Sequence, residues 1–81
     1  MKIMASDELK NKVAAALKVQ PSELTADSGP KTIQNWDSLG HLKIISLLDD
    51  LTSGPIEAED AEKIKRYSDI VAFCRRKGLV A

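Results

Sequence analysis

The best-patterned helix of this sequence begins with the stretch Trp36-Asp37-Ser38-Leu39-Gly40-His41-Leu42. Helical spacing of about 100° per residue places its core-facing side chains on one stripe and predicts a helix over 38–51. That stripe consists of Ile44, Leu48 and Leu51, flanked by His41, Ile45 and Leu47. Leu39 and Leu42 fall on roughly the opposite side. Two leucines off the core stripe, beside a hydroxyl at a helix start, indicate a contact surface.

The composition is that of one small globular domain spanning residues 1–81. Hydrophobic residues make up 43% and charged residues 30%, which is typical of a folded chain. A chain of this length favours a compact helical bundle. Twelve acidic and twelve basic side chains give zero formal net charge, whereas proteins that bind nucleic acids carry a basic excess. We therefore expect no nucleic-acid partner, and a small DNA-binding helical domain is excluded on charge.

The single histidine and single cysteine indicate whether the protein can bind a metal and in which cellular compartment it resides. One residue of each type cannot form a metal site of any usual ligand count, so no metal is expected. Cys74 has no partner for an intramolecular disulfide, which fits a cytoplasmic protein. Residues 1–6 lack the long apolar run of a signal peptide, and no stretch approaches membrane-spanning length. We expect a cytoplasmic protein without membrane insertion.

Three further helices are predicted around the central one, over about 6–18, 58–65 and 68–77. Ser6 and Ser68 are the predicted N-caps of the first and last of these, because serine is a favoured capping residue. No stretch shows the alternation of a β-strand. The predicted fold class is all-α: a small four-helix bundle with three main helices and one short helix.

A long polar connector joins the first helix to the central one. Pro21 is predicted to end the first helix, and Leu24 and Ile33 are spaced as anchors to the core. Trp36 is interpreted as a core plug that holds the connector against the bundle. Gly40 costs about 1 kcal/mol in a helix relative to alanine. We interpret it either as room for another molecule to approach or as neutral sequence drift. Connectors of this length in small domains are usually functional.

No catalytic residues are predicted. A serine nucleophile needs a base, and the only histidine, His41, lies three residues after Ser38 and faces mostly the core stripe, with no third residue to orient it. The carboxylate pairs Asp49-Asp50 and Glu59-Asp60 consist of adjacent residues, which point apart on a helix. We expect a protein that is not an enzyme.

A modified serine is better supported. Free N–H groups and the helix dipole at a helix N-terminus stabilise a phosphate. Asp37 is predicted to cap the helix, which leaves the hydroxyl of Ser38 free to project.

The motif Asp37-Ser38-Leu39, after a long connector and before an apolar helix, resembles the attachment site of acyl carrier proteins and peptidyl carrier domains. The resemblance covers essentially the whole chain and points to a stand-alone bacterial type. It implies that a phosphopantetheinyl transferase esterifies Ser38 with 4′-phosphopantetheine from coenzyme A, with Asp37 as part of the motif. The terminal thiol of that arm then carries an acyl, aryl or aminoacyl group as a thioester.

The resemblance also implies a set of partner enzymes. They are the transferase and the acyl-loading ligases, synthases or transferases that read one surface in turn, with modest apolar contact and steering charges. The predicted partner-binding residues are Leu39, Leu42, Lys43, Ser46, Asp49, Asp50, Glu57, Glu59 and Asp60. A monomer is expected for such a shuttle.

Charge separates this chain from the fatty-acid carriers that it resembles. Those proteins are strongly acidic along the motif helix, whereas this chain is neutral and places Lys43 on the exposed face. This favours polyketide, nonribosomal-peptide or lipid and cell-envelope pathways over housekeeping fatty-acid synthesis. The alternative is a helical docking domain without a prosthetic group, which explains the exposed leucines but leaves the Asp-Ser placement and the long connector as coincidence.

Overall fold

In the computed structural model, which describes residues 3–80, the chain forms four α-helices. They are α1 (Ser6–Leu17), α2 (Ser38–Leu51), α3 (Ala58–Lys63) and α4 (Tyr67–Arg76), with a single 3-10 turn at Pro21–Glu23. This part of the chain holds no β-strand, although Met4 and Val80 form an isolated parallel bridge. No helix in it is long and apolar enough to cross a membrane. The predicted all-α bundle of three main helices and one short helix is confirmed.

One core cluster receives side chains from three helices and from the connector. Its most deeply buried large members are Leu9, Val13 and Leu17 of α1, Ile44 and Leu48 of α2, Ile70, Phe73 and Cys74 of α4, and Leu24 and Trp36 of the connector. Ile33, the second predicted anchor, is 7% exposed. The predicted stripe of α2 and the predicted anchors are therefore confirmed, with Leu51 only half-buried.

Hydrogen bonds tie the connector to the start of α4. The backbone N–H groups of Tyr67 and Ser68 donate to the carbonyls of Ser28 and Ala26, at 2.8 and 3.0 Å. Ser28 is buried, and its hydroxyl accepts a hydrogen bond from the N–H of Thr25 at 2.8 Å. The long segment before α2 is thus an ordered part of the fold.

The predicted N-cap of α1 and the predicted role of Pro21 in ending the helix are wrong, although α1 stops within one residue of the predicted Lys18. Ser6 lies inside the helix, because Ala5 occupies the N-cap position with extended backbone and no side-chain cap. The helix ends at Leu17, before Pro21, because Lys18 adopts a left-handed conformation with φ of 57°. Pro21 instead begins the 3-10 turn, where its fixed φ suits the first position.

The predicted cap of α4 is also wrong. The helix begins at Tyr67, so Ser68 lies within its first turn. The carboxylate of Asp69 reaches back instead and accepts hydrogen bonds from the N–H groups of Lys65 and Arg66, at 3.0 and 3.1 Å. A side chain inside the first turn therefore satisfies the backbone donors that precede it.

Local backbone conformation sets two other helix ends. The short helix α3 stops at Lys63, before the predicted residue 65, because Ile64 is extended and buried in the core. Gly78 follows α4 with φ of 71°, the left-handed conformation that glycine adopts without cost after a helix. The predicted stop at Gly78 is confirmed.

Candidate functional site

Asp37 caps the helix that carries the motif. Its Oδ1 accepts a hydrogen bond from the N–H of Gly40 at 2.9 Å, and its carbonyl accepts from the N–H of His41 at 2.8 Å. A cap of this type contributes about 0.5–2 kcal/mol to stability. Ser38 follows as the first helical residue and is exposed. Within residues 3–80 its hydroxyl has no hydrogen-bond partner.

Gly40 lies beneath the connector. A Cβ at this position would collide with the carbonyl oxygen of Asn35 and would lie 3.2 Å from Cδ2 of Leu17. The interpretation that Gly40 leaves room for another molecule is therefore wrong, because the chain's own backbone fills that room. The close contact holds the connector against the start of α2 and so fixes where Ser38 emerges.

Trp36 and His41 form a hydrogen-bonded pair beside the serine. The indole Nε1 donates to Nδ1 of the imidazole at 3.2 Å, and the two rings lie nearly parallel, with centroids 6.5 Å apart and planes at 19°. Trp36 is 1% exposed, which confirms it as the predicted plug, and His41 is half-buried. Because Nδ1 accepts, the ring proton of neutral His41 resides on Nε2, which is left as a donor.

Two clefts flank the start of α2. The larger, which we call the Ser38 cleft, has a volume of about 620 Å³. It is lined by Pro30, Trp36, Asp37, Ser38, His41 and Leu42. A smaller cleft of about 190 Å³ has Leu17, Lys18, Leu39 and Lys43 among its lining residues. Ser38 lines the first cleft and not the second, so any group attached to its hydroxyl starts in the Ser38 cleft.

Some residues of the predicted partner surface are exposed to solvent, and others bind groups elsewhere in the chain. Leu39 and Leu42 are 62% and 64% exposed. The exposed polar members are Lys43, Ser46, Asp50, Glu57 and Glu59.

Besides the exposed Glu59, which pairs with Lys63 at 3.5 Å, two acidic members of that set make contacts within the chain. Oδ1 of Asp49 accepts a hydrogen bond from the N–H of Ile56 at 2.9 Å. Asp60 pairs with Arg76 at 3.3 Å. The exposed apolar residues therefore lie on α2 and the exposed charges lie on α2 and at the start of α3, while Asp49 and Asp60 also hold the segment after α2 to the bundle.

Cys74 is fully buried in the core. Burial raises the pKa of its thiol to about 11. Because the thiolate is the reactive form of cysteine, this thiol is inert near neutral pH.

A protein of Exiguobacterium sp. named acyl carrier protein is 34% identical to this chain over 70 residues, which cover 86% of this chain and 89% of that relative. The chain belongs to the acyl carrier protein family. No protein-family model matches the sequence. As an acyl carrier protein, the chain is related to carriers rather than to enzymes, and membership implies a phosphopantetheine group and partner enzymes in general terms.

The start of α2 in this acyl carrier protein fits a phosphate ester. The first N–H groups of a helix have no partner within the helix. Of these, the N–H of Gly40 donates to the carboxylate of Asp37. The N–H groups of Ser38 and Leu39 remain at the positive end of a helix of 14 residues. An exposed hydroxyl, these donors and an open cleft together suit a serine-linked phosphodiester.

Two features of the site were not predicted from the sequence. Pro30 lines the Ser38 cleft, and nothing in its sequence context indicates that position. Trp36 and His41 were each placed toward the core, but their hydrogen bond depends on how the connector enters α2. The sequence indicated this hydrogen bond only through the positions of Trp36 and His41, which lie on either side of the start of α2.

Proposed function

We propose that this acyl carrier protein carries acyl, aryl or aminoacyl groups on a 4′-phosphopantetheine arm attached to Ser38. The observation that carries the proposal is the placement of Ser38. Its hydroxyl is exposed at the first position of α2, next to a capping carboxylate and at the wall of an open cleft. Membership of the family supports the same assignment.

Attachment is a phosphoryl transfer from coenzyme A. Oγ of Ser38 attacks the phosphorus that bears pantetheine, and a base of the transferase accepts the hydroxyl proton. A new P–O bond forms to Ser38 while the bond to the second phosphate breaks and releases adenosine 3′,5′-bisphosphate. When bound, the arm supplies a terminal thiol on which cargo is held as a thioester.

The surface around the attachment point suits transient partners. Leu39 and Leu42 offer a small apolar contact, and Lys43, Ser46 and Asp50 surround it with polar groups. Charges around a small apolar patch steer encounter and select partners without tight binding. We assign this surface to the phosphopantetheinyl transferase and to the enzymes that load and use the cargo.

A specialised pathway fits the charge better than housekeeping fatty-acid synthesis. The formal net charge is zero, and Lys43 stands exposed on the motif helix. Partners matched to strongly acidic carriers would meet like charge there, which disfavours wrong pairs. We infer a cytoplasmic carrier, in keeping with its single, buried cysteine.

Intact-mass measurement tests the attachment. The protein is incubated with coenzyme A and a broad-specificity phosphopantetheinyl transferase, and we expect the mass of one phosphopantetheine to be added. Ser38→Ala should gain nothing. Ser22→Ala, which removes an exposed serine outside the partner surface, should gain as the parent does.

A folded parent that gains no mass, while a known carrier is modified in parallel, would overturn the proposal. It would leave a helical docking domain as the remaining interpretation.

A further inference from the structure

The Ser38 cleft is a candidate binding site for the arm itself. Its volume of about 620 Å³ falls within the range of roughly 300–1,000 Å³ that small-molecule sites occupy. The connector supplies Pro30 and Trp36, while α2 supplies Ser38, His41 and Leu42. The attachment point is therefore part of the cleft wall.

Helix geometry directs the arm into this cleft and away from the smaller one. His41 and Leu42 lie three and four residues after Ser38, the spacings at which helical side chains are neighbours. Leu39 and Lys43 instead line the smaller cleft across the helix. A phosphodiester on Ser38 thus begins beside an imidazole and an exposed leucine.

The pair of aromatic rings forms a preorganised wall of the cleft. Trp36 is buried and holds Nδ1 of His41 by its hydrogen bond, so the neutral ring keeps its proton on Nε2. All buried side-chain nitrogen and oxygen atoms within residues 3–80 have a partner. Because Nε2 has none there, it is accessible to solvent as a free N–H donor.

The chemistry of the arm matches this lining. Its phosphodiester is an anion and its adjoining pantoate unit carries two geminal methyl groups. Asp37 lines the same cleft and repels the phosphate, so donors are needed to offset that charge. Residues three apart on a helix have Cβ atoms about 5–6 Å apart, which brings the imidazole within reach of a phosphate on Ser38.

We propose that the Ser38 cleft binds the proximal part of the phosphopantetheine arm, with Nε2 of His41 donating to the phosphodiester and the pantoate methyl groups contacting Pro30 and Leu42. This rests on the proposed attachment of the arm to Ser38. The cleft then holds the arm near the protein between transfers, and partner enzymes must displace it to reach the thiol.

NMR of the loaded protein tests the inference. With an isotope-labelled arm, we expect nuclear Overhauser effects from the pantoate methyl groups to the rings of Trp36 and His41. Leu42→Ala should weaken or abolish them. Leu39→Ala is the matched control, because Leu39 has nearly the same exposure but lines the other cleft, and it should leave them intact.

Two results would distinguish failure of the cleft as a binding site from failure of the attachment to Ser38. If the intact mass shows the added arm but no such contacts appear, or if both leucine variants weaken them equally, the cleft is not the binding site although the attachment holds. If no mass is added, the attachment itself fails.

Discussion

Nε1 of Trp36 donates a hydrogen bond to Nδ1 of His41 at 3.2 Å and so links the end of the connector to the first turn of α2. The donor belongs to a side chain that is 1% exposed. A buried donor that loses its acceptor costs about 1–3 kcal/mol, so the pair has a measurable role in stability.

His41→Ala should lower the free energy of unfolding by about 1–3 kcal/mol, because the buried indole N–H loses its acceptor. In Trp36→Phe the donor is already absent, so adding His41→Ala should cost less there than in the parent. Urea unfolding followed by circular dichroism measures all four proteins. Strictly additive losses would show that the hydrogen bond contributes nothing.

Gly40→Ala should destabilise the protein by about 1–3 kcal/mol, the usual cost of overpacking. Helix propensity alone would predict a gain of about 1 kcal/mol, but the new Cβ meets the carbonyl of Asn35. Gly54→Ala is the control, because no atom lies within 4 Å of a Cβ there, and it should be nearly neutral. A more stable Gly40→Ala variant in thermal unfolding would contradict the close contact.

Asp37→Ala should cost about 0.5–2 kcal/mol through loss of the cap on Gly40. Asp37→Asn keeps an oxygen acceptor and should recover most of that loss, since asparagine caps nearly as well. Denaturant unfolding of both variants measures the difference. Equal destabilisation by the two substitutions would mean that the carboxylate acts through its charge and not as a cap.

Leu39→Ala should reduce kcat/KM of the phosphopantetheinyl transferase by roughly tenfold, equivalent to about 1.4 kcal/mol of lost contact. Ile3→Ala offers a matched control, since Ile3 is 59% exposed but lies outside α2. Modification rates under subsaturating conditions measure both. If Ile3→Ala slows the reaction as much as Leu39→Ala, the partner surface is not centred on α2.

Alkaline pH should weaken the fold through Cys74. Its folded-state pKa is raised to about 11 by burial, above an unfolded value of about 8.5. The associated stability is complete below the unfolded pKa and falls as pH rises toward the folded one. Burial also raises the pKa of Tyr67, which adds a loss of the same sign.

Urea unfolding between neutral pH and pH 11 tests this dependence. Cys74→Ala should show a shallower decline than the parent, whatever its stability at pH 7. Parallel declines in the two proteins would rule out the thiol as a source.

The sequence predicts the motif helix best because three independent patterns agree there. The apolar stripe, the capping aspartate and the helix-breaking run Thr52-Ser53-Gly54-Pro55 all set the bounds that α2 has in the structure. Ser68 failed as a cap because Asp69 reaches back to two backbone donors. Ser6 failed because the helix already includes it and begins after Ala5, which makes no side-chain cap.

The rest of the site depends on the path of the connector. Asn35 over Gly40, Pro30 at the cleft and Trp36 against His41 are contacts that only the folded chain creates. No periodic pattern in the sequence predicts these contacts, because residues 18–37 contain only one short turn of regular structure. The position of the serine was thus predictable from sequence, and the surroundings of the serine were not.

The bridge between Met4 and Val80 brings the two ends of the fold side by side, where the N–H of Met4 donates to the carbonyl of Leu79 at 2.8 Å. A short linker would therefore close the chain into a ring. Reopening that ring at the exposed turn around Ser53 would give the helix order α3, α4, α1, α2. Ser38 would then lie on the last helix to be synthesised, so the position of the proposed attachment site along the polypeptide is separable from its position in space.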